Sequence, residues 1–86
     1  MTLYHGTATA NISSILSDGL LPHVPEKYNW RPCGVFLYTE PGMSYVFGGA
    51  VFAVEVSGLL CLERDGKERV YEGPIAPDRI RLLEAL

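Results

Sequence analysis

The chain has 86 residues and a mass of 9.5 kDa, which allows one domain over 1–86 and excludes a doubly wound dinucleotide-binding fold, a TIM barrel or any two-domain enzyme. Hydrophobic residues make up 48% and charged residues 20%, an ordinary globular balance, and the longest apolar run, Ala50–Val54, is far below the ~20 residues of a membrane span. Net charge is −3, from 7 Lys+Arg against 10 Asp+Glu, which runs against the basic excess that duplex binders use to displace counterions.

Thr2–His5 reads as a strand bounded by Gly6. Ala10–Asp18 reads as a helix, with Ile12, Ile15 and Leu16 at helical spacing, Thr9 as N-cap and Gly19 as the C′ residue. Leu20–Cys33 is a loop holding Pro22, Pro25, Pro32, Tyr28 and Trp30, long enough in so small a domain to suggest a functional role. Gly34–Thr39 is a second strand. Thr39 or Glu40, with Pro41 in the first turn, starts a second short helix that ends at Gly48–Gly49. Ala50–Ser57 is a strand with Phe52, Val54 and Val56 on one face. Leu59–Glu63 and Lys67–Tyr71 form a hairpin around Asp65–Gly66. Pro74 and Pro77 mark a turn, and Arg79–Leu83 adds a strand or a short helix. Two helices with five or six strands make the fold class α+β.

Several chemistries have no support. GxGxxG, P-loop and GxSxG patterns are absent. Cys33 and Cys61 lack metal-ligand or disulfide-scaffold spacing, and Cys61 reads as a buried thiol. What remains is a set of polar and aromatic residues near strand ends: His5–Gly6–Thr7, then Phe36, Tyr38, Ser44, Tyr45 and Phe47, then Glu68. Singly, His5 would be a hydrogen-bonded strand-end histidine, the aromatics core, and Glu68 a solvated hairpin tip. Together and in this order they point elsewhere.

The segments LYHGTATANISSILSDGLLP (Leu3–Pro22), CGVFLYTEPGMSYVFG (Cys33–Gly48) and ERVYEGPIAPDRIRLLE (from Glu68) span nearly the whole chain. They resemble the ADP-ribosyltransferase superfamily, in its His-Tyr-Glu branch that includes the poly(ADP-ribose) polymerases and diphtheria toxin. The resemblance implies a compact ADP-ribosyltransferase-like fold, with mostly antiparallel strands in a split, two-sheet core and two short helices. It also implies NAD+ as substrate and no metal. His5 would bond a ribose hydroxyl, and the Gly6 backbone would pair with the nicotinamide carboxamide. Thr7 and Asn11 would lie toward the adenosine. Gly34 would open the second strand, with Phe36 at the signature tyrosine, Ser44 on the carboxamide and Phe47 stacked on the ring. Glu68 would be the signature glutamate, bonding the ribose 2′-OH. Phe36 lacks the tyrosine hydroxyl, and Tyr38, two residues on along the same face, is the alternative. Glu72 is the alternative to Glu68. His23 and Trp30 in the long loop are read as loop packing.

The activity implied is mono-ADP-ribosyl transfer: nicotinamide leaves, and one ADP-ribose goes to a macromolecular acceptor, protein sooner than nucleic acid. The alternatives are a catalytically inactive reader of NAD+, ADP-ribose or a partner, and an NAD+ glycohydrolase. No secretory signal opens the chain, so the expected compartment is the cytoplasm, without membrane association. A homodimer would suit the thin core. Small stand-alone members of this superfamily resemble toxins or phage and host-defence factors.

Overall fold

The computed structural model describes residues 1–22, 34–42 and 48–85. Six strands form one antiparallel sheet: β1 (Thr2–Thr7), β2 (Val35–Tyr38), β3 (Ala50–Glu55), β4 (Leu62–Asp65), β5 (Glu68–Tyr71) and β6 (Ile80–Ala85), in the order β4-β5-β2-β1-β3-β6. One helix, α1 (Ile12–Asp18), follows a 3-10 turn at Thr9–Asn11, and a second 3-10 turn at Pro77–Arg79 leads into β6. The α+β class therefore holds. The two-sheet core does not, because β1 pairs on both edges and joins the halves into one sheet. Of the second expected helix, Pro41 and Gly42 take 3-10 geometry and residues 43–47 lie outside the described residues.

Alternation decides the core. Leu3, Phe52 and Val54 share a face with Val35 and Leu37, and Ile15 of α1, Leu20, Val56 and Ile75 pack there. On the other face of β3, Val51 and Ala53 are buried as well, as expected of a continuous apolar run. In α1 the face bearing Ile12 and Ile15 packs on the core, whereas Leu16 is left 47% exposed. The helix has no side-chain N-cap bond. Instead Asn11 Nδ2 donates to Thr7 Oγ1 at 2.9 Å, tying the helix start to the end of β1.

The hairpin turns at Gly66–Lys67, one residue later than the expected Asp65–Gly66, since Asp65 faces Glu68 after a register shift. Beside β3, the Glu55 carboxylate accepts from Ser57 and from the Met1 amino group, which hold its pKa down to about 2. Arg79 Nη1 donates to the Glu55 and Ser57 carbonyls at 3.1 and 2.9 Å. Cys61 is half-buried, and that burial pushes its thiol pKa up.

Gly19 ends α1, with its N–H on the Ile15 carbonyl at 2.8 Å and φ at +85°. The next residue, Leu20, exchanges both backbone bonds with Ile75, at 2.9 and 2.8 Å. That bridge presses Gly19 against Ile75, where a Cβ would stand 2.1 Å from the carbonyl oxygen. Gly19→Ala should therefore cost about 2–4 kcal/mol, combining left-handed strain with backbone overlap. Gly66→Ala, where nothing lies within 4 Å of the added Cβ, should stay within about 0.5 kcal/mol. Urea unfolding of the two variants checks the contrast, and equal stabilities would contradict it.

Candidate functional site at the fork between β1 and β2

β1 has unequal neighbours. Toward β3 it pairs at every residue from Thr2↔Glu55 to Thr7↔Ala50. Toward β2 it pairs at Tyr4↔Tyr38 alone. β2 meanwhile stays with β5 along its length, from Val35↔Tyr71 to Tyr38↔Glu68. Beyond the tyrosine pair the ladder stops, and the sheet forks into a β1-β3-β6 limb and a β2-β5-β4 limb.

His5 is the residue at the fork. Its Nδ1 lies 2.9 Å from the Phe36 carbonyl oxygen, and a carbonyl can only accept, so Nδ1 carries the proton. A side chain thus supplies a bond between the strands where the ladder has stopped. Burial lowers the His5 pKa, and the bond to Phe36 offsets this only in part. The ring is therefore neutral near pH 7, with its Nε2 lone pair an acceptor that no described residue engages.

The registers sort the remaining residues by face. Tyr4 lies opposite Tyr38, and Tyr38 opposite Glu68, so the three form one row across β1, β2 and β5 on the face away from the Leu3–Phe52 core. Phe36, two residues from Tyr38, shares that face and lies opposite Val70. Tyr38 is buried, while Phe36 and Glu68 are half-buried. Tyr4 was not singled out from the sequence, because only the register reveals that it neighbours Tyr38. Gly6 is buried on the same side as Tyr4. His5 and Thr7 leave β1 toward the opposite side, with Phe52 and Ala50.

The structure therefore groups Phe36, Tyr38 and Glu68 and sets His5 apart from them across the sheet. Both sets border the stretch where β1 and β2 no longer pair. Glu72 lies past the end of β5 and is exposed. Gly34 packs so closely on β5 that a Cβ would fall 2.6 Å from Val70 Cγ2 and 2.8 Å from the Tyr71 oxygen, which holds the start of β2 on the β5 limb. Thr7 and Asn11 bond each other at the end of β1. Ser44, Tyr45 and Phe47, together with His23, Trp30 and Cys33, lie outside the described residues. Among the described residues no cluster of metal-ligating side chains occurs, and no helix is long and apolar enough to cross a membrane.

No protein-family model matches the chain, and a search of curated proteins finds no match either.

The His5 environment makes stability depend on pH. With its folded pKa below the ordinary value of 6.5, the unfolded chain binds the proton more readily. The contribution is full above about pH 6.5 and is lost as pH falls toward the folded value. Urea midpoints should drop between about pH 7.5 and 5 in the wild type and drop less in His5→Gln, which keeps a donor but does not titrate. Equal slopes for the two proteins would overturn the assignment.

Proposed function

We propose that the protein is a mono-ADP-ribosyltransferase that takes NAD+ at the fork, releases nicotinamide and transfers one ADP-ribose to a macromolecular acceptor. The observation that carries this reading is the cross-strand pairing of Glu68 with Tyr38, one strand away from a fork bridged by His5. The resemblance of Leu3–Pro22, Cys33–Gly48 and the segment from Glu68 to the superfamily supplies the substrate.

The chemistry asks for what these residues offer. The bond between the nicotinamide nitrogen and ribose C1′ breaks, and its electron pair leaves with nicotinamide. Positive charge builds on the sugar, and a fixed carboxylate beside it lowers the barrier most effectively where water is thinned out. Half-buried Glu68 is that carboxylate, with Tyr38 at its side. Phe36 gives the flat ring an aromatic wall, and the Gly6 backbone fixes the carboxamide at little entropic cost. Neutral His5 accepts a hydrogen bond from a ribose hydroxyl at Nε2. The acceptor's nucleophilic atom then bonds C1′ and gives up its proton. The net charge of −3 favours a protein acceptor over nucleic acid, and the work is assigned to the cytoplasm, in a toxin-like, phage or host-defence setting.

Titration calorimetry with NAD+, with free nicotinamide assayed in the same samples, tests the proposal. We expect binding with release. Glu68→Gln should cut release by about 10²–10³-fold, the usual loss on removing one electrostatic stabiliser, while NAD+ still binds. Full release from Glu68→Gln would sink the role given to that carboxylate. Binding without release would favour the inactive reader, free ADP-ribose as sole product the glycohydrolase, and no binding would overturn the proposal.

A further inference from the structure

β4 closes one edge of the sheet and β6 the other, and the two edges differ in chemistry. β4 has 4 residues, of which Glu63, Arg64 and Asp65 are charged, a common way to keep an open edge from pairing. β6 has 6 residues, and all but Ile80 are exposed. Its charges are confined to Arg81 and Glu84, while Leu82 and Leu83 between them are 36% and 45% exposed. A long edge with an apolar centre offers unpaired N–H and C=O groups to another strand.

The register of β6 selects which strand. When two copies of one edge pair antiparallel, the two-fold axis runs normal to the sheet and each face stays on its own side. Residues set opposite each other must then come from the same face. In a regular strand Arg81 and Glu84, three positions apart, point to opposite faces and never meet in this way. β6 is not regular. Ala53 faces Arg81 and Phe52 faces Leu82, but the register then slips by one residue and Val51 faces Glu84. Ala53 and Val51 share a face of β3, so Arg81 and Glu84 share a face of β6. Ile80 and Ala85, opposite Val54 and Ala50, share the other.

We infer that β6 is the seam of a symmetric homodimer, pairing antiparallel with β6 of a second copy about an axis between Leu82 and Leu83. Arg81 then lies opposite Glu84 of the partner subunit, and Glu84 opposite Arg81 of the partner subunit. Ile80 and Ala85 pair likewise, and the leucines of both copies meet at the axis. The irregularity at Leu83 is what makes the strand charge-complementary to itself. A slip of one or two residues loses that match, so the same feature fixes the register.

Sedimentation equilibrium of the full chain across the micromolar range provides the test. The expected mass is twice the 9.5 kDa of one chain, with association weakening as salt is raised. Arg81→Glu and Glu84→Arg should each raise the dissociation constant by about tenfold or more, because each puts like charges opposite one another twice. The double swap Arg81→Glu/Glu84→Arg should return it to within a few-fold of wild type. Recovery in the double variant separates loss of pairing from misfolding, which a second substitution would not repair. A monomeric wild type, single variants that dimerise as well as wild type, or a double variant that stays monomeric would each overturn the inference.

Discussion

β1 bonds along its whole length on one edge and at a single residue on the other, and the architecture follows from that asymmetry. Complete pairing with β3 makes it the centre of the core, with Leu3 against Val54 and His5 beside Phe52. Its one pairing with β2, at Tyr4 and Tyr38, keeps the sheet whole. Had the ladder continued, the backbone groups at the end of β1 would be consumed in pairing with β2. With the ladder stopped, His5 takes over the bonding by reaching the Phe36 carbonyl, and its opposite nitrogen is left as an acceptor. Burial keeps the ring neutral, which such an acceptor role requires.

This division bears directly on the proposed chemistry. A carboxylate that stabilises a developing cation needs a fixed position, and Glu68 obtains one from its place in the β5 ladder opposite Tyr38. Gly34, closely packed on Val70 and Tyr71, holds the start of β2 on that same limb. The aromatic and acidic groups thus sit on one limb and the imidazole on the other. Their relative placement depends on the tyrosine pair, the His5 bond and the core that Leu3 and Phe52 share with Val35 and Leu37.

Much of the fold was legible in the sequence. Most strand positions and the site of α1 followed from alternation and from glycine and proline punctuation, although α1 begins at Ile12 rather than Ala10 and β4 lies at Leu62–Asp65 rather than Leu59–Glu63. Gly19 was readable as a helix terminator because its role is local, although the contact with Ile75 that makes it indispensable is not. Turn position was less legible: Asp65–Gly66 has the stronger hairpin signature, yet the cross-strand register moved the turn to Gly66–Lys67. The single continuous sheet was missed because pairing between β1 and β2 rests on one position that no periodicity marks. For the site, residue types and order were visible in His5, Phe36, Tyr38 and Glu68, but faces were not. That Tyr4 joins Tyr38 and Glu68 in a row, while His5 points the other way, follows only from registers between strands distant in sequence.

The strand order also sets the sequence of events by which the chain acquires its shape. Among the described strands β4 and β5 pair across a two-residue turn, whereas β1 and β2, also consecutive, pair across more than twenty residues. β1 precedes β3 in the chain and must wait for it, and Leu3 must find Val54 across some fifty residues. Closing so large a loop delays contact formation more than it weakens the final fold. During synthesis β1 therefore waits without its partner until β3 is made, and for that interval both of its edges are open to pairing elsewhere.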